Sequence, residues 1–135
     1  MTTFLDTNIL ISLLSEDDKF HHWSVGQFEQ CKLKGPTLIS DIVYCEFSIG
    51  MASKEDADVA VNRFALERFS GNDDALFRAG RAYKMYRNNA GQKTNVLPDF
   101  IIGAIAEVSG APLVTTNPKD FATYFPSVEL IYPPD

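Results

Sequence analysis

Apolar positions along the chain fall into short runs that alternate with longer stretches of helical periodicity. Thr2–Leu5 reads as a short strand, followed by a helix through Ile9, Leu10, Leu13 and Leu14. Glu16-Asp17-Asp18-Lys19 reads as a solvated loop. Phe20, Trp23, Phe28 and Cys31 then predict a second helix that Gly35-Pro36 ends. Thr37–Ile39 is the next strand, and Ser40 or Asp41 caps a helix running to about Ala52. Ser53 and Asp56 have capping-box spacing ahead of Val59, Val61 and Phe64. Arg68–Ser70 makes a brief strand. Asp73 and Asp74 start a helix whose stripe is Leu76, Ala79, Tyr83, Tyr86 and Ala90, with Gly91 as its stop. Leu97-Pro98-Asp99 leads into the apolar helix Phe100–Val108, closed by Gly110. Pro112–Thr115 and Val128–Ile131 are the last strands.

Strands alternating with helices imply βαβ units, hence an α/β fold with a parallel sheet and helices on both faces. Ligands in such folds bind beyond the carboxyl ends of the strands, at a topological switch point. The residues just after each strand are therefore the candidates for chemistry.

Composition narrows the picture in three ways. At 45% hydrophobic and 22% charged residues the chain is ordinary globular material. It holds no apolar run near the roughly 18 residues of a membrane span, and its opening lacks the basic region of a signal peptide. Cys31 and Cys45 form no framework, which points to a reducing cytoplasm. Twelve Lys and Arg against eighteen Asp and Glu give a net charge of −6, which argues against a general nucleic-acid binder. The distribution is uneven: Arg78, Arg81, Lys84, Arg87 and Lys93 share a segment without acids. That segment reads either as a solvated helix face or as a phosphate-contacting one.

Asp6 follows the first strand, Glu46 lies in the helix after the second, Asp99 opens the most apolar helix, and Asn117 and Asp120 follow Thr115-Thr116. Taken singly, Asp6 and Asp99 are helix caps, Glu46 a wet-face residue, and Asn117-Pro118 a turn. Taken together, acids meeting at one sheet edge repel one another unless a cation neutralises them. Oxygen-only ligands suit Mg²⁺ or Mn²⁺, whose chemistry with phosphate oxygens is phosphodiester hydrolysis. His21 and His22 have no ligand spacing and read as surface residues.

Leu5-Asp6-Thr7-Asn8, the helical Glu46, Leu97-Pro98-Asp99 and Thr115-Thr116-Asn117-Pro118-Lys119-Asp120-Phe121, in that order, resemble the PIN domain. More narrowly, the chain is similar to VapC-type toxins, small ribonucleases of toxin–antitoxin pairs, over essentially all of residues 1–135. The resemblance implies one α/β/α sandwich with a five-stranded parallel sheet, cleaving RNA with Mg²⁺ or Mn²⁺. It places Asp6 and Asp99 on the principal metal-binding carboxylates and Glu46 on the third acid. Asn117 falls on a fourth position where many members carry Asp, which leaves open whether Asp120 substitutes or a single metal suffices, and Thr115 falls on a supporting threonine. It further implies a homodimer and an antitoxin that lies in an apolar groove and sends a basic side chain into the acidic pocket. Three rivals are a PIN fold that only binds RNA or a partner, a haloacid-dehalogenase-type phosphotransferase, and a phospho-receiver domain. The phosphotransferase wants an acid where Asn8 stands; the receiver wants an early acidic pair, and Asp17-Asp18 lie beyond the first helix.

Overall fold

The computed structural model describes residues 1–93 and 95–135. Five strands form one sheet: β1 (Thr3–Leu5), β2 (Thr37–Ser40), β3 (Glu67–Phe69), β4 (Leu113–Val114) and β5 (Leu130–Ile131). Every pairing is parallel and the spatial order is β3-β2-β1-β4-β5. The chain thus winds from β1 outward through β2 to β3, then crosses back to lay β4 against the other side of β1. The switch point lies between β1 and β4, whose carboxyl ends lead to Asp6 and Thr115.

Thr3, Phe4 and Leu5 are all buried. Because successive strand side chains point to opposite faces, helices must cover both sides of β1. The edges are treated differently: β3 exposes Glu67 and Arg68, charges that discourage pairing with another chain, and β5 is only two residues long.

The helices are α1 (Thr7–Leu14), α2 (His21–Lys34), α3 (Asp41–Ser48), α4 (Lys54–Arg63), α5 (Asp73–Asn88), α6 (Leu97–Ser109) and the single turn α7 (Lys119–Ala122). Ser40 caps α3, Ser53 caps α4 and Asn72 caps α5, each accepting from a backbone N–H in the first turn. Gly110, at φ 64°, closes α6 in the left-handed conformation that glycine adopts without strain.

Several expectations shift on folding. The helix after β2 stops at Ser48 and not near Ala52; Ser48 Oγ donates back to the Tyr44 carbonyl, and Ile49 beyond it is 84% exposed. The buried stripe of α5 is Ala75, Ala79 and Ala82, so Leu76 points outward at 47% exposure. Small side chains let α5 lie close along α6, a role that a stripe drawn through the largest apolar residues overlooks. Val59 is likewise exposed, while Ala57 and Ala60 are buried. The left-handed residue after α5 is Ala90, at φ 64°, one position before Gly91.

The basic segment also divides. Arg78 is an internal clasp: it pairs with Glu107 of α6 at 2.5 Å, donates to the Tyr124 carbonyl at 2.6 Å and lies over the Phe125 ring. It is half-buried, and its guanidinium donors are engaged by Glu107 and Tyr124. Gly103 of α6 allows a further close approach, since a Cβ there would collide with the Phe125 ring.

Candidate active site

The first turn of α1 springs directly from β1, which leaves Asp6 at the junction with only 4% of its surface exposed. Its Oδ1 accepts from the Thr7 backbone N–H at 2.8 Å. Its Oδ2 accepts from Asn8 Nδ2 at 3.1 Å and from Thr115 Oγ1 at 2.7 Å. The last bond joins residues 109 apart in sequence and straps the ends of β1 and β4 together. Asn8 Oδ1 in turn accepts from the Thr116 N–H at 3.1 Å, and Thr115 Oγ1 accepts from the Asn117 N–H at 2.9 Å. Asp6 is therefore a helix cap and more: three donors hold it, and about one of a carboxylate's four acceptor positions is left.

Burial pushes the Asp6 carboxyl up to about 6; the bonds from Thr115 and Thr7 oppose that rise, while the charges of Glu46 and Asp120 add to it.

Asp99 lies within the first turn of α6, where no side chain caps the helix. The expectation that Leu97-Pro98-Asp99 precedes this helix is corrected: α6 starts at Leu97, with Pro98 in its first turn, where the missing N–H is harmless. Asp99 accepts no hydrogen bond among the described residues. Burial first, and then the charges of Asp120, Asp6 and Glu46, push it up to about 7, with Lys93 pulling the other way. The cap reading fits half of Asp6 and none of Asp99.

Glu46 projects from α3 toward the same junction, where Thr7 Oγ1 donates to its Oε1 at 2.7 Å. Val43 and Phe47 beside it are buried, but Ile49 is not.

Asp99 and Asp120 line a cleft of about 210 Å³, together with Lys93, Lys119 and an aromatic wall of Tyr86, Phe100 and Tyr124. The rings of the wall pack tilted and edge-on against one another: Tyr86, Phe100 and Tyr124 have centroids 5.5–6.1 Å apart. Glu46 and Thr7 line a different, more apolar cavity that includes Ile11, Leu14 and Met51. Asn117 belongs to neither. It is exposed, and it lines a third cavity on the other side of Thr116. The local reason is that its N–H is tied to Thr115 and α7 starts two residues later, which brings Asp120 round to the cleft. Reading along the chain missed Tyr86, Tyr124 and the Thr7–Glu46 bond. The hydroxyl at Thr7, beside Asp6 at a strand end, was the available signal.

Among the described residues no three His, Cys, Asp or Glu side chains converge closely enough to hold one metal ion. The donor set nevertheless fits a hard divalent cation. The donors are all oxygen, Asp99 accepts no hydrogen bond among the described residues, Asp6 keeps acceptor capacity, and the acids raise one another's pKa by their mutual repulsion. Mg²⁺ is commonly held by one or two carboxylates, with waters and substrate phosphates completing its shell.

Solved structures of similar shape come from several bacteria. VapBC2 from Rickettsia felis, bound to a DNA fragment from their promoter, matches with TM-score 0.77 and 23% identity over 99% of this chain and 100% of that one. VapBC-1 from nontypeable Haemophilus influenzae matches with TM-score 0.73 and 22% identity over 98% of each. A toxin–antitoxin complex from Klebsiella pneumoniae matches with TM-score 0.66 and 27% identity over 93% of this chain and 94% of that one. No curated protein matches the sequence. Among families, the match is to the PIN domain over residues 3–124, from β1 through the aromatic wall of the cleft, and the chain belongs to that family.

Proposed function

We propose that this protein is a metal-dependent endoribonuclease and the toxin of a toxin–antitoxin pair. The observation that carries the reading is the gathering of Asp6, Glu46, Asp99 and Asp120 within electrostatic reach at the β1/β4 switch point, inside a PIN fold. Asp6 and Asp99 would hold Mg²⁺ or Mn²⁺. When bound, the ion supplies charge neutralisation and acidifies a water for attack on phosphorus.

The chain's own groups do the rest. Thr115, Asn8 and the Thr7 N–H fix the orientation of the Asp6 carboxylate. Thr7 fixes Glu46, which is assigned to positioning the attacking water and taking its proton. Asp120 takes the fourth acidic place, since it lines the cleft with Asp99 and Asn117 does not. Lys93 and Lys119 at the cleft offer cations to the phosphate backbone of an otherwise acidic protein.

The partners proposed are an RNA substrate, an antitoxin protein and a second copy of the chain. The antitoxin and dimer rest on the family resemblance and on likeness to the VapBC assemblies. Among the described residues no helix is long and apolar enough to cross a membrane. The test is cleavage of single-stranded RNA with Mg²⁺ or Mn²⁺, with Asp6→Asn as control and thermal melting to verify its fold. Cleavage that requires the metal and is lost in Asp6→Asn is expected. RNA left intact by the folded wild type overturns the enzyme reading and favours a PIN fold that only binds.

A further inference from the structure

Beside the acidic cleft, across Thr116, lies a cavity of about 520 Å³, within the roughly 300–1,000 Å³ range of small-ligand sites. Its lining brings together Lys19, Phe20, Asn117, Lys119 and Tyr132, from three separate stretches of chain. Those are two cations, two aromatic rings and one side-chain amide. Tyr132 follows β5 directly and is 52% exposed.

The loop carrying Lys19 and Phe20 is built to hold them. Asp18 Oδ2 accepts from Ser12 Oγ and from the Phe20 N–H, both at 2.9 Å, so the expected solvated loop is anchored on α1. His21 Nδ1 lies 2.8 Å from the Ser12 carbonyl and pins the same segment. Lys19 Nζ lies 4.7 Å from the Phe20 ring centroid, covering one face of the ring and holding the cation at the cavity. Asn117 makes no side-chain hydrogen bond among the described residues, which leaves its amide donors and acceptor unspent.

The cavity is coupled to the acids. Thr116 lines it, and the Thr116 N–H is bonded to Asn8, whose amide holds Asp6. Lys119 lines both this cavity and the acidic cleft. A strand of RNA whose phosphate lies at the acids would pass Lys119 and deliver its neighbouring nucleotide here.

We infer that this cavity is a subsite for one unstacked nucleotide flanking the scissile phosphate, with its base on Tyr132 and Phe20, its phosphate on Lys19 and Lys119, and its base edge read by Asn117. The inference rests on the ribonuclease reading and adds to it the place where a base is recognised. Aromatic faces accept any base, whereas an amide pairs with some base edges and not others, so selectivity is assigned to Asn117 and affinity to the rings. Asp135 brings one negative charge to the same lining and weakens phosphate binding there.

The experiment is equilibrium binding of a short fluorescent single-stranded RNA to the full chain in EDTA, where the proposed hydrolysis is silent. Tyr132→Ala is expected to weaken binding about 5- to 100-fold, the usual loss of one stacked base. Replacing Lys19 and Lys119 together by alanine should lower the salt dependence by about 0.7 in log–log slope, the loss of one neutralised phosphate on a single strand. Asp135→Asn should tighten binding, and Asn117→Ala should flatten differences among the four homopolymers. Unchanged affinity and slope in the tyrosine and lysine variants, or no RNA binding by the wild type, overturn the subsite. Failure of the ribonuclease reading looks different: binding that depends on Tyr132 persists, but no condition yields cleavage that depends on Asp6.

Discussion

Asp6 and Asp99 both stand at the beginnings of helices, and burial raises both carboxyls, yet their surroundings differ almost completely. Asp6 is held by three donors drawn from both sides of the β1/β4 boundary, whereas Asp99 is held by none among the described residues. Desolvation leads in both cases, but at Asp6 the hydrogen bonds counteract it and at Asp99 the neighbouring acids reinforce it. One carboxylate is oriented by hydrogen bonds and the other, among the described residues, is not. A site of this kind separates orientation from reactivity, with the two properties on different elements.

The largest expected effect tests that separation directly. Asp6→Asn and Asp99→Asn should each lower RNA cleavage by about 100- to 1000-fold, a loss on the scale of removing one transition-state partner. Their melting temperatures should diverge. Asp99→Asn relieves repulsion with no bond lost and should melt higher than wild type. Asp6→Asn sets an amide NH₂ against donor groups and should melt below Asp99→Asn. Equal melting temperatures would erase the distinction.

Thr115→Val comes next. It removes the donor to Asp6 and leaves the Asn117 N–H without its acceptor, so it should destabilise the fold by about 1–3 kcal/mol in denaturant melts. Glu46→Gln should cut turnover while leaving stability level or slightly raised, because charge is removed and shape is kept.

The pH profile sharpens the comparison further. A carboxyl whose folded pKa exceeds its unfolded value of 3.8 binds protons more tightly in the folded chain. Stability should therefore rise as pH falls from about 7 toward 4, with the two groups ionised and repelling above that window. Asp99→Asn should remove the part nearest pH 7, and Asp6→Asn the part nearest pH 6. Millimolar Mg²⁺ at pH 7 should give the smallest change, a modest rise in melting temperature by binding the native state. Asp99→Asn should abolish that rise.

Much of this arrangement was legible along the chain, and the exceptions share a cause. Asp6 could be nominated because a residue directly after a strand has only one place to go in a parallel sheet, while Glu46, within the helix after β2, and Asp99, at the start of α6, were nominated by the family motifs. Rotation about a helix axis is less legible. Leu76 was assigned to the core by periodicity, but the contact with α6 favours the alanines one position away. Asn117 and Asp120 part at a one-turn helix, whose start brings Asp120 and not Asn117 to the lining of the cleft. Arg78 looked like one more cation in a basic run, and only the chain's return at Tyr124 and Phe125 reveals its partners.

The strap between Asp6 and Thr115 also has a consequence for synthesis. The Asp6 carboxylate leaves the ribosome 109 residues ahead of its partner threonine and the strand that carries it. Until β4 has emerged and docked on β1, Asp6 has no donor across the boundary and Asp120 has not been made. The gathering of acids at the β1/β4 boundary is therefore complete only once β4 and the turn after it have been synthesised.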